Sequence, residues 1–287
     1  TAPADHIVGA TGVLQNPEDV LSKIELERFE KSKTSFDKPV IIVTAAEAAQ
    51  KEKTRSTQKK TWEFHAESVR DFAFASSRKF IWDAQAVKLG TKTPLAMSFY
   101  PKEGNPLWEK ESTKAVKNTL EVYSRHTIDY PYPVAISVHT ASIGMEYPMI
   151  CFNYGRPNKD GKYSAATRQK MIGVIVHEVG HNFFPMIINN DERQTTWMDE
   201  GINSFVQLIT EQERYPDIKW TRGVPSEMVP YLKGSQSSKR PLMINAEQVI
   251  KLGDEQYGKA ATGLYMLRQT IMGPELFDKA FKEYAER

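Results

Sequence analysis

The residues best placed to do chemistry are His177-Glu178-Val179-Gly180-His181. On an α-helix, positions i and i+4 lie on one face a turn apart, so both imidazoles can reach a single ion. Zinc accepts this geometry. Two histidine nitrogens supply half of a tetrahedral shell, and a catalytic zinc wants one more protein ligand and an open position for water. Glu178 sits about 100° around the helix from His177, where its carboxylate can take a proton from a water at the metal without being a ligand itself. After His181 come 18 residues and then Glu200, in the run Trp197-Met-Asp-Glu-Gly-Ile-Asn-Ser-Phe205. The apolar spacing of Trp197, Phe205 and Leu208 predicts a second helix with one buried face. Glu200 is the natural third ligand for one zinc per chain. Asp199 is its local competitor, one residue round the helix, so that only one of the two can point squarely at the ion.

These residues need elements to hold them. From residue 1 to about 70 the pattern is short and β-like: an apolar stretch from Ile7 to Val13, the run Pro39 to Thr44, and the alternation Trp62, Phe64, Ala66. The basic stretch 51–60, KEKTRSTQKK, has no interleaved aromatics to stack bases and reads as a solvated loop. Further strands are expected at Phe80 to Val87, Leu95 to Tyr100, Pro133 to Thr140 and Met149 to Tyr154, with a helix from Pro106 to about Thr127 among them. Helices are expected at 164–184, 196–214, 254–272 and 274–286, the last opened by Pro274 after Gly273. Strands first and helices after give an α+β layout.

The zinc motif, its spacing to Glu200 and the Trp-Met-Asp-Glu-Gly context resemble the M1 family of zinc aminopeptidases, within the thermolysin-like gluzincins. Gly144-Met145-Glu146-Tyr147, beginning 33 residues before His177, is similar to that family's Gly-x-Met-Glu-Asn exopeptidase signature. The segment Tyr257 to Arg268 is similar to the one carrying its catalytic tyrosine. The resemblance implies that His177, His181 and Glu200 hold zinc and that Glu178 is the general base. It also implies that Tyr257 stabilises an oxyanion, that Glu146 binds the free α-amine of a peptide, and that Gly144 and Met145 edge the substrate. A phenol beside the metal acts on charge that exists only along the reaction path, and a carboxylate pairs with an ammonium while offering an internal amide nothing. Taken singly, Glu146 could be an ordinary strand-edge residue and Tyr257 a half-buried helix tyrosine. Two departures stand out: Tyr147 replaces the usual Asn, and Phe184-Pro185-Met186 replaces an aromatic-Gly-Asn, which should only reshape a loop. The resemblance further implies that residues 1–70 end an N-terminal β-domain and that 71–287 form a thermolysin-like catalytic domain, incomplete at its C-terminus. The chain thus reads as a fragment of a larger enzyme.

Composition bounds the alternatives. In 287 residues, 40% are apolar and 26% charged, as in an ordinary globular protein, and 38 basic against 36 acidic residues leave a net charge of +2. No field of one sign favours nucleic acid. No apolar run reaches the roughly 18 residues of a membrane span. The single Cys151 cannot form an internal disulfide and reads as a packed apolar residue. His6, His65, His126 and His139 show no ligand spacing. The expected function is removal of N-terminal residues from peptides with a free N-terminus, by a metal-activated water. The same scaffold could instead serve an epoxide or an internal peptide bond, and a non-catalytic scaffold is disfavoured by the intact site residues.

Overall fold

The computed structural model describes Thr1–Arg287. Within it, two helices occupy stretches where the residue pattern points only to strands. Helix α1, Lys23–Ser32, starts with a capping box in which Glu25 N–H donates to Ser22 Oγ and Ser22 N–H donates to Glu25 Oε2 at 2.8 Å. Helix α2, Ala45–Lys53, repeats the device with Thr44 and Glu47. Each pair satisfies two backbone donors that a helix start leaves open. The basic stretch 51–60 is therefore not a single loop. Its first residues finish α2, and Lys59–Lys60 pair with Ala2–Pro3 as a short antiparallel ladder.

The α+β expectation holds, and its centre is a mixed six-stranded sheet. Its strands are β1 (Val40–Val43), β2 (Ile81–Ala86), β3 (Leu95–Tyr100), β4 (Val134–His139), β5 (Met145–Tyr147) and β6 (Ile150–Asn153). They lie in the order β5-β6-β4-β3-β2-β1. The β6–β4 and β4–β3 pairs are parallel and the others antiparallel. Strands β2, β3 and β4 are buried along their whole length, as central strands covered on both faces must be. Phe29 of α1 packs on Trp82 of β2, whose ring stacks on Phe99 of β3 with centroids 5.1 Å apart.

One cross-strand row of this sheet is polar. Asp83 pairs with Ser98, Ser98 with Ser137, Ser137 with Cys151, and Cys151 with Glu146. Helix α3 (Leu107–His126) brings Ser112 and Thr113 onto the row. Thr113 donates to Asp83, Tyr100 OH donates to Asp83 Oδ2 at 2.7 Å, Ser98 Oγ donates to Ser112, and Asn153 Nδ2 donates to Ser137 Oγ at 2.8 Å. Burial pushes the Asp83 carboxyl up to about 7 against the hydrogen bonds that pull it down.

By contacts the chain divides into two compact units, 1–121 with 130–179 and 122–129 with 180–287. Strand β1 is a hydrogen-bonded member of the large sheet. In the second unit helix α5 (Ile202–Arg214) was expected to bury one face, yet all of Ile202 to Glu211 is buried. Phe205 packs against Phe277 and Phe281 of the last helix, Pro274–Glu286, and Tyr123 OH donates to Asn203 Oδ1 at 2.7 Å. Pro225–Lys233 is a further helix there that the apolar spacing did not indicate. No helix in the chain is long and apolar enough to cross a membrane.

Candidate metal centre

Helix α4, Ala165–Gly180, ends in the residues that matter. It was expected to run to 184 and stops short. Pro185 has no N–H to continue the helical ladder and disfavours helical geometry in the residue before it, and Phe184 is accordingly extended at φ −129°, ψ 110°. His177 and Glu178 occupy the last turn and His181 follows its final residue; all three are buried. The glycine of the motif is there for packing: a Cβ on Gly180 would lie 2.2 Å from Asn203 Oδ1 and 2.3 Å from Tyr123 Oη.

In the second unit His181 and Glu200 face each other, and His177 precedes His181 by four residues in the sequence. Two imidazoles and a carboxylate are the donor set of a three-ligand catalytic zinc, so the residues present fit the ion. Around His181 the geometry is specific. Its Nε2 is 3.3 Å from Glu200 Oε2, whereas its Nδ1 is 2.8 Å from the Phe184 carbonyl oxygen and 2.9 Å from Asp199 Oδ1. Asp199 and Glu200 therefore do not compete for one direction; they approach opposite nitrogens of the same ring. Both lie in Trp197–Gly201, which winds as a π-helix, so the 100° step assumed for a regular helix does not apply there. The Phe184-Pro185 departure also does more than reshape a loop, since the extended Phe184 turns its carbonyl to the histidine.

Tyr257 lies in another π-helical segment, Gly253–Gly258, and is partly buried with the Arg222 guanidinium 5.1 Å over its ring. Arg222 carries no sequence signal for this position. Gly201, directly after Glu200, ties the two π-helical segments together: a Cβ there would come within 2.3 Å of Ala260 Cβ and 2.5 Å of the Gln256 carbonyl oxygen.

The signature segment forms an edge strand. Gly144 and Met145 are exposed and Glu146 is partly buried, with Glu146 opposite Cys151 in the β5–β6 hairpin. Its turn places Met149 at φ 64°, a left-handed conformation that costs a non-glycine residue about 1–2 kcal/mol. Burial of the Met149 side chain offsets that cost. Gly144 touches the α4 motif directly: a Cβ at this position would sit 2.5 Å from Glu178 Oε1 and 2.6 Å from Val174 Cγ2. The four other histidines have partners of their own. His6 bonds Ser76, His65 pairs with Glu67 at the surface, His126 lies 3.8 Å from Asp278, and His139 packs on Trp108. Cys151 is buried.

Comparison with known proteins adds the family. The family model described as the peptidase family M1 domain matches residues 111–287, more than half of the chain. A rice protein, aminopeptidase M1-A, is 22% identical over 199 residues, covering 66% of this chain and 23% of its own length. Human endoplasmic reticulum aminopeptidase 2 is 29% identical over 131 residues, 43% of this chain and 13% of that protein. The crystal structure of an M1 zinc metallopeptidase from Deinococcus radiodurans aligns with a TM-score of 0.64 at 16% identity, covering 99% of this chain and 54% of that one. The chain thus spans about half of the solved structure and less than a quarter of these two relatives.

Proposed function

Since the chain belongs to peptidase family M1, we propose that it is a zinc-dependent aminopeptidase, hydrolysing the N-terminal peptide bond of peptides. His177, His181 and Glu200 would hold a zinc ion, which would supply Lewis acidity toward the carbonyl and lower the pKa of water toward about 7. The chain's own groups do the rest. Glu178, buried at the end of α4, takes the proton from the attacking water and returns it to the departing amine. Tyr257 donates a hydrogen bond to the oxyanion that develops on the carbonyl. Glu146 pairs with the α-ammonium of the substrate, while Gly144 and Met145 form the strand edge along which the first residue lies.

The contact of Gly144 with the Glu178 carboxylate carries this reading. At about 3.3 Å per residue in a strand, Glu146 is then roughly 7 Å along the edge from the base. An exopeptidase needs its amine anchor within about one substrate residue of the reacting carbonyl. An endopeptidase has no use for an acid there.

The test is a pair of peptides identical except for N-acetylation. The free peptide should be cleaved and the acetylated one far more slowly, and Glu146→Ala should erase most of the difference by slowing the free peptide, because a charge-assisted contact of about 1.5–3 kcal/mol is lost. Equal cleavage of both peptides by the wild-type protein would remove the aminopeptidase reading.

A further inference from the structure

His181 is 1% exposed, so both ring nitrogens must find partners within the protein. Nδ1 faces two acceptors, the Phe184 carbonyl oxygen at 2.8 Å and Asp199 Oδ1 at 2.9 Å. A proton on Nδ1 makes the hydrogen bond to the Phe184 carbonyl, and Asp199 Oδ1, which makes no hydrogen bond itself, faces the same edge of the ring as a charge. That tautomer leaves the lone pair on Nε2, the nitrogen beside Glu200. The charge count points the same way. Two neutral imidazoles and one carboxylate leave a divalent ion with one positive charge uncompensated. Asp199, itself buried, supplies a second negative charge from behind the ring. All four residues lie in one compact unit, in the short stretch from His181 to Glu200.

We propose that Asp199 is a positioning residue for the metal: its carboxylate, 2.9 Å from Nδ1, holds the orientation of the His181 ring that the Phe184 carbonyl sets and stabilises the bound cation by its charge, without being a ligand. This role rests on the zinc reading of His177, His181 and Glu200. Asp199→Asn keeps the shape and an acceptor oxygen but removes the charge, and Asp199→Ala removes both.

The experiment measures zinc dissociation constants of the full chain by competition with a chelator, for these two variants alongside His181→Ala and Glu200→Gln, with circular dichroism of each apo form. Asp199→Asn is expected to bind one zinc about 10–100-fold more weakly than wild type, Asp199→Ala more weakly still, and His181→Ala not to retain zinc. Unchanged zinc affinity in both Asp199 variants, with His181→Ala stripped, would overturn the positioning role and leave the ligand set intact. Loss of the site in Asp199→Asn with tight binding kept in Glu200→Gln would overturn it the other way, by making Asp199 the ligand. Stoichiometric zinc in His181→Ala would remove the underlying zinc reading as well.

Discussion

In the sheet-bearing unit the groups proposed to react sit on regular elements. His177 and Glu178 ride the last turn of an α-helix, and Glu146 rides an antiparallel edge strand in register with Cys151. In the helical unit Glu200 and Tyr257 both sit in π-helical segments, and two more such stretches, Asn182–Ile187 and Leu267–Met272, flank them in sequence. A regular element places a side chain by its period, so its position follows from counting. A π-helical turn changes the angular step, and the placement of Asp199 and Glu200 then depends on what the segment packs against. Chemistry that needs two adjacent acids on opposite nitrogens of one histidine is easier to build on the irregular segment.

The comparison can be tested first through its reactive groups. Glu178→Gln should lower turnover by about 10²–10⁴ with zinc content unchanged, because only the proton acceptor is lost. Tyr257→Phe should lower kcat by about 10²–10³ with KM less affected. Metal analysis and steady-state kinetics check both, and near-normal turnover of zinc-loaded Glu178→Gln would remove it from the mechanism.

A pair of glycine substitutions separates the two units more directly. In Gly201→Ala the new methyl meets the Gln256 carbonyl oxygen and the short Ala260 side chain, neither of which can swing aside. Stability should fall by about 1–3 kcal/mol, several degrees of Tm, and activity should fall with it. In Gly144→Ala the methyl meets the mobile end of Glu178 and Val174 from an exposed strand edge. Here Tm should drop less than in Gly201→Ala, while kcat falls because Glu178, the proposed base, is displaced. Equal thermal losses in the two variants would mean that the π-helical pair is no more tightly interlocked than the strand edge.

An effect on the pH dependence of stability, not on the site, concerns Asp83, far from any ligand in sequence. Its folded-state pKa of about 7 lies above the ordinary carboxylate value of about 3.9, so between these the folded protein holds a proton that the unfolded chain has released. Stability from this group is complete at low pH and declines as pH rises through that window, by at most about 1.4 kcal/mol per pH unit. Asp83→Asn cannot titrate, so its denaturation midpoints between pH 4 and 8 should lack that part of the slope. Parallel pH profiles for the two proteins would show that Asp83 does not titrate differently on folding.

Much of the proposed site is legible in the sequence because its signals are local. The i, i+4 histidines, the intervening glutamate and the apolar helix around them are fixed by backbone period, and the expected helix 106–127 survives as Leu107–His126 for the same reason. The capping pairs Ser22/Glu25 and Thr44/Glu47 were equally local, and they are the signal by which helices α1 and α2 could have been found. Other features have no local signature. The polar row from Asp83 to Glu146 exists only because four strand pairings bring scattered residues into register, and the end of α4 depends on how Pro185 and Phe184 turn the chain. Spacing alone thus determined which residues could hold a metal and which could move a proton. The tertiary structure decided which nitrogen of His181 faces Glu200, where Asp199 stands, and that Gly144 lies on the base, because each depends on contacts between residues far apart in the chain or on a backbone that leaves the regular helical path.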